Sequence, residues 1–358
     1  MNSHRIVPEW SDDDPRWSRT SLYDPPETDE ADSGDVWDLP LPRADRRDLL
    51  DPRAWRAAEA ALAADLARTA QAVGRLDEAV FRLGPGAIQR LAYREVEAMS
   101  RAEGVWLDRD RIGRSMLAAG GDPERARVLG RARWALRRLC TPPGAAGDLR
   151  RFLGLHEING AGRDIEPGLP EVRPIGPAFE AAEADWRAAL DRLGPAHPLT
   201  AALFGLRAWR LAGLSAPEDV IEAATGAGRA AALENRALPF VPLAPRGLSW
   251  GRGGAVENLL ALWLAEIRDG ALTSLAELER VALWQQRALA GVANLGGANP
   301  GRVISALAAR PYATAEDLAT AAGVSRDTAE RLLPKLLARG LVREITGRGR
   351  FRLWAAGT

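Results

Sequence analysis

Seven side chains near the C-terminus of this 358-residue chain have the types and spacing to grip a polyanion: Ser325, Arg326, Thr328, Arg331 and Lys335, then Arg348 and Arg350. Guanidinium forks donate paired hydrogen bonds to phosphate oxygens or to the edge of guanine, and hydroxyls serve single acceptors or donors. Between residues 300 and 358, ten Lys+Arg stand against five Asp+Glu, although the 48 basic and 48 acidic side chains of the whole chain cancel. Excess arginine alone is a weak signal, because Lys335 is the only lysine in the sequence. The order of elements around these residues says more.

Thr314 with Asp317, and Ser325 with Thr328, are placed as N-caps whose oxygens accept the unpaired amides of a first helical turn. Gly323 lies between those starts and supplies a tight turn, so two short helices can cross steeply. The second helix is expected from Arg326 to Arg339. It puts Ala329, Leu332, Leu333, Leu336 and Leu337 on a core-facing stripe, with Arg326, Arg331 and Lys335 away from it. Pro334 breaks a local rule there and is expected to kink or end the helix. Beyond Gly340 the pattern changes to two strand-like runs, Leu341 to Ile345 and Arg350 to Trp354. They flank Thr346-Gly347-Arg348-Gly349, as in a hairpin, and carry Arg343, Arg348, Arg350 and Arg352. The whole reads as a winged helix-turn-helix, which presents its second helix to a DNA major groove. Ser325, Arg326, Thr328, Arg331 and Lys335 would then face bases or phosphates, and Arg348 and Arg350 would hold the backbone or minor groove.

Three segments follow from composition: an acidic tail over 1–50, a helical domain over 51–297 and the winged module over 298–358. The tail carries thirteen acidic against six basic side chains, including Asp12-Asp13-Asp14, and is expected to be disordered. The middle is rich in Ala, Leu, Arg and Glu and reads as helix after helix, so the fold class is mainly α with a two-stranded wing. Its helices are expected at Trp55–Val73, Leu76–Arg82, Ala87–Glu103, Asp122–Leu139, Asp148–Glu157, Phe179–Leu193, Thr200–Leu211, Ala255–Arg268 and Ala271–Ala293. Asn159 to Pro177 reads as a long loop, near which Glu157, Asp164 and Glu166 are solvated charges. Cys140 is the sole cysteine, which excludes an intramolecular disulfide and a thiolate metal cluster and suits buried packing. The histidines are His4, His156 and His197, too scattered for a metal site, and no cofactor is expected. No long apolar span or secretory leader is legible, so the expectation is a cytoplasmic protein without a membrane partner.

Two motifs in the helical domain carry further chemistry. Glu103, in Ser100-Arg101-Ala102-Glu103-Gly104, closes a helix at the negative end of its dipole and calls for a cationic partner. His197-Pro198-Leu199 opens another helix, where an imidazole can cap or pack. Taken in order, these features resemble the Fic family of adenylyl transferases, helical proteins that often end in a winged helix. Ser100 to Gly104 is similar to the tail of the family's inhibitory motif, with Met99 where a leading serine is expected. His197-Pro198-Leu199 matches the start of the core motif, and Leu211-Ala212-Gly213-Leu214 resembles the end of the helix that follows. Arg343-Glu344-Ile345-Thr346-Gly347-Arg348 is similar to the family's wing. The resemblance implies His197 as the catalytic base and Glu103 as the inhibitory residue. It also places the metal-holding carboxylate at Ala201 and the phosphate loop at Ala202 to Gly205. Those positions lack the carboxylate, the Gly-Asn-Gly turn and its arginine, and Arg207 or Arg210 would have to substitute from a shifted register. Ala202-Leu203-Phe204 should simply continue a helix, so adenylylation is expected to be lost.

The reading is a DNA-binding regulator of transcription with a catalytically degenerate Fic-like domain, acting on double-stranded DNA as a homodimer. Two alternatives use the same residues: a divergent nucleotidyl transferase based on His197, and a partner-binding scaffold whose winged module only docks proteins.

Overall fold

Alanine and leucine at helical spacing, punctuated by Gly and Pro, produce a chain that is mainly helical. The computed structural model describes residues 50–116, 123–141, 148–155, 173–216, 219–243, 254–347 and 352–357. Nearly all of the acidic tail, the Glu157, Asp164 and Glu166 segment, and Arg348 and Arg350, expected on a wing, lie outside the described residues. The helices of the body are α1 (Pro52–Ala61), α2 (Ala63–Leu83), α3 (Pro85–Ala102), α4 (Arg109–Ser115), α5 (Pro123–Leu139), α6 (Leu149–Leu153), α7 (Pro177–Leu193), α8 (Pro198–Ala212), α9 (Ile221–Ala230) and α10 (Val256–Gly291). There follow α11 (Asn299–Ala308), β1 (Ala313–Thr314), α12 (Ala315–Ala322), α13 (Arg326–Ala338), β2 (Val342–Glu344) and β3 (Leu353–Ala356). Among the described residues no helix is long and apolar enough to cross a membrane.

Several boundaries differ from expectation for identifiable reasons. The helix expected over Trp55–Val73 is interrupted at Leu62, which leaves helical geometry with φ −100° and ψ 19°. The chain then continues through exposed Gly74 to Leu83, joining what read as two helices. Likewise, the helices expected on either side of Gly270 are one helix of 36 residues, α10. Gly270 is buried on its packed face, and burial of Leu260, Trp263, Leu264 and Ile267 nearby outweighs the cost of about 1 kcal/mol that a helical glycine carries. The helix expected to reach Glu157 instead stops at Gly154, whose left-handed conformation closes α6. Two helices of the body are new, as is α11 after it. In α4, Ile112 is the only large apolar residue, so no stripe announces it. In α9, small residues dominate and the cap comes from far away in the sequence.

Two large buried clusters organise this frame, beside a small one of Ile345, Leu353 and Ala355. One gathers Trp55, Leu76, Leu91, Phe179, Phe204 and Trp263. The other gathers Trp284, Ile304, Leu307, Leu318, Leu336 and Trp354. Helix α10 feeds both, with Trp263 in the first and Trp284 in the second. The chain from Asp45 to Thr358 forms one compact unit.

Arg90, Tyr312 and Arg343 are among the side chains that fasten the C-terminal segment to the body. Arg90, only 9% exposed, donates from one terminal nitrogen to the carbonyls of Leu307, Ala308 and Arg310 at 2.7, 3.1 and 2.6 Å, closing the C-terminus of α11. Burial lowers its pKa to about 10, which leaves it charged near neutrality. Tyr312 donates to Asp110 at 2.7 Å, and Arg343 of β2 forms an ion pair with the same carboxylate. Burial alone would raise the Asp110 carboxyl, but hydrogen bonds from Arg343 and Tyr312 outweigh it and hold the group below its ordinary value. Arg343, expected on the wing as a cation, is thus engaged with the body. Gly86 permits the closest approach: a Cβ there would sit 1.8 Å from the carbonyl oxygen of Ala309. Replacing Arg90 with Leu should lower stability by about 3 kcal/mol, because three carbonyls lose a charged donor inside the protein. Urea denaturation checks this, and an unchanged midpoint would deny Arg90 that role.

Candidate nucleic-acid interface

Thr314 accepts from the amide of Asp317 while Asp317 accepts from the amide of Thr314, a reciprocal cap that starts α12. Gly323 ends it with φ +62°, and the chain turns directly into α13. Ser325 caps α13 by accepting from the amide of Thr328 at 3.2 Å, and its hydroxyl lies 2.8 Å from that of Thr328. Ala329, Leu333 and Leu336 are buried, and Leu332 is half-buried. Leu337, expected in the same stripe, is 42% exposed. Pro334 neither ends nor splits the helix, which continues to Ala338. It sits on the exposed side, and its missing amide would have served the carbonyl of exposed Glu330, where water is a ready substitute.

Strands β2 and β3 pair antiparallel, with Val342 opposite Ala356 and Glu344 opposite Trp354. A third strand not anticipated from the sequence, β1, pairs with the other edge of β3, giving the sheet order β1-β3-β2. Strand β3 runs over Leu353–Ala356, later than the expected start at Arg350. The turn after β2 is closed by Glu344, which accepts from the Thr346 hydroxyl and from the amides of Thr346 and Gly347. Burial would raise the Glu344 carboxyl, but these hydrogen bonds more than offset it and hold the group below its usual value.

Ser325, Arg326, Arg331 and Lys335 are exposed on α13, and Thr328 is half-exposed. Their electrostatics are more balanced than their types suggested. Arg326 donates to Glu330 at 2.8 Å and lies 3.8 Å from Glu316, while Arg331 pairs with Asp327 at 2.8 Å. These are solvent-exposed pairs, individually weak and open to exchange for a phosphate. Asp327 and Glu330 are therefore part of the surface, and their four-residue spacing from Arg331 and Arg326 was legible in the sequence. Lys335 has no acidic partner among the described residues. Arg339 reaches across to the carbonyl of Gly291 and the side chain of Asn294, tying the end of α13 to the end of α10.

The two other motif residues have structural partners. His197 is the N-cap of α8: its Nδ1 accepts from the amide of Leu199 at 3.1 Å, and its own amide donates to Glu59 at 3.1 Å. Helix α8 then runs unbroken, with Ala202, Leu203 and Phe204 at most 1% exposed. Trp263 holds the first turn by donating to the carbonyl of Leu199 at 2.9 Å. Arg207 is half-buried in the same helix and Arg210 is exposed. Glu103 forms an ion pair with Arg131 at 2.6 Å and accepts from the amides of Val220 and Ile221 at 2.7 and 3.0 Å, so it caps α9. Cys140 is half-buried, and burial pushes its thiol up to about 11, away from nucleophilic use near neutrality. Among the described residues no group of His, Cys, Asp and Glu could hold a metal ion.

Around Glu103 lies a partly buried charged network. Arg131 also pairs with Asp219, Arg173 pairs with Glu222, and Ser215 links Glu222 to the indole of Trp209. Burial, with repulsion from Glu222, raises the Asp219 carboxyl from 3.8 to about 6 despite the opposing pull of Arg131. A carboxyl raised by folding binds its proton more tightly in the native state than in the unfolded one. Its contribution therefore increases stability as pH falls from about 6 toward 3.8. Asp219→Asn should remove that slope, worth about 2 kcal/mol across the window. Urea midpoints of both proteins between pH 4 and 7 decide it; parallel profiles would show that Asp219 titrates normally.

No family model matches this chain, and no curated protein matches it either.

Proposed function

We propose that the C-terminal segment is a winged helix-turn-helix that binds double-stranded DNA, and that the chain acts as a regulator of transcription. One observation carries this reading. Two helices joined through a left-handed glycine are followed at once by an antiparallel strand pair, and the exposed side of the second helix bears Ser325, Arg326, Arg331 and Lys335. In this reading Ser325, Arg326, Thr328, Arg331 and Lys335 meet base edges or phosphates, and Arg348 and Arg350 grip the backbone from the wing tip. The acids beside the arginines set the strength of the contact. Each phosphate must displace Glu330 or Asp327, which lowers nonspecific affinity and leaves discrimination to the groove.

The Fic-like relationship of the body belongs to the same proposal. His197-Pro198 opens a helix as in that family, while buried Ala202, Leu203 and Phe204 occupy the stretch where a phosphate loop would need bare backbone. Both His197 and Glu103 make helix caps, a use that favours a frame retained without transfer chemistry.

The experiment is capture of genomic DNA fragments by purified protein, followed by fluorescence anisotropy on the enriched duplexes at two salt concentrations. Arg326→Ala and Arg331→Ala should each weaken binding about tenfold and partly relax sequence preference. Arg348→Ala should weaken it uniformly and reduce the salt slope by about one. Glu330→Gln should tighten binding, because it releases Arg326. Failure to retain duplexes of any composition at low ionic strength would overturn the reading and leave protein docking as the module's role.

A further inference from the structure

The outer face of α10 has a symmetry that its burial pattern does not require. Viewed down the helix, Leu272, Ala276, Glu279, Leu283, Arg287 and Ala290 share one stripe at spacings of three, four and seven residues. All six are exposed, and Leu283 is 56% exposed. The opposite side holds the buried Ser274, Leu278 and Ala288, with buried Trp284 at the flank, so this stripe points away from the protein's own core. Neither Glu279 nor Arg287 has an ion-pair partner among the described residues, whereas neighbouring Glu277 is fully engaged with Arg109 and Arg94.

From Ala276 to Ala290 the stripe is self-complementary when reversed about Leu283, whereas Leu272 has its counterpart at Asn294, beyond the end of α10. Four residues before it stands Glu279 and four after it Arg287; seven before it stands Ala276 and seven after it Ala290. An antiparallel copy crossing at Leu283 places Leu283 on Leu283, Glu279 opposite Arg287, and Ala276 opposite Ala290. Small residues at the outer layers let the helices approach, the leucines bury each other at the axis, and two ion pairs fix the register. A parallel arrangement in register would put Glu279 on Glu279 and Arg287 on Arg287, so the charges select one direction. An interface in which residue i meets j while j meets i is that of a two-fold dimer.

We propose that a second copy of this chain docks antiparallel along α10, with the two-fold axis at Leu283. This does not rest on the DNA reading, since the helix face stands whether or not α13 meets a groove. The full-length protein should sediment at equilibrium as a dimer of 38.6 kDa chains at tens of micromolar concentration. Glu279→Arg and Arg287→Glu should each weaken association at least tenfold by facing like charges across the axis. The double variant, with charges exchanged, should restore it. These residues are exposed, so circular dichroism and melting should be unchanged at concentrations where the protein is monomeric. As an independent check, Leu283→Cys in a Cys140→Ser background should cross-link to itself when diamide takes up the two thiol hydrogens, and Leu272→Cys should not. A wild-type monomer throughout that range, single reversals without effect, a double variant that stays monomeric, or cross-linking at position 272 in preference to 283 would each overturn the proposal.

Discussion

The continuity of α10 is the constraint on which the arrangement of this protein depends. A helix of 36 residues cannot bend freely without losing backbone hydrogen bonds, and this one contributes Trp263 to one buried cluster and Trp284 to the other. Trp263 reaches the first turn of α8 through the carbonyl of Leu199, and Trp284 reaches the carbonyl of Leu341 just before β2. The entry to α8 and the start of β2 are thereby anchored on one rod. With Arg90 and the Asp110–Arg343 pair added, α11 to β3 is built onto the body by direct bonds and packing as well as by the chain connection.

Within the body, distant carboxylates do work that local caps do elsewhere. Asp77 accepts from the amides of Arg236, Ala237 and Leu238, Glu95 from Leu243, and Glu103 from Val220 and Ile221. All three acids belong to the α2–α3 region, and all the amides belong to the stretch around α9 and the irregular chain after it. That stretch buries Leu238, Phe240, Val241 and Leu243 without regular structure, which its polar backbone tolerates only when paired. The acids are thus fold-determining, and Glu103 in particular trades the unfavourable end of its own helix for the favourable start of another.

How much of this was legible in the sequence follows from how local each cause is. The caps at Thr314 and Ser325, the turn at Gly323 and the core positions Ala329, Leu333 and Leu336 are set within a few residues, and the sequence pattern places them correctly. The unbroken run of α8 across Ala202 to Gly205 is local for the same reason. Hidden features arise at long range. Helix α9 is capped by Glu103 from over a hundred residues away, α10 survives Gly270 through tertiary burial, and β1 exists because β3 offers it an edge. For the candidate interface, the exposure of Arg326, Arg331 and Lys335 follows from periodicity. Their partners Glu330 and Asp327 were equally readable by spacing but are outweighed by a simple count of charges, and the engagement of Arg343 with Asp110 was not readable at all.

The seat of Arg90 carries a consequence for biosynthesis. Its guanidinium lies in α3, yet the carbonyls it serves begin 217 residues later and are synthesised long after it. Until then the body holds a cation whose designated acceptors do not exist, and its surface beside Gly86 lies open to water. Closure of this contact therefore waits on the synthesis of α11, and a body that lacks it is the species that chaperones and proteases meet first.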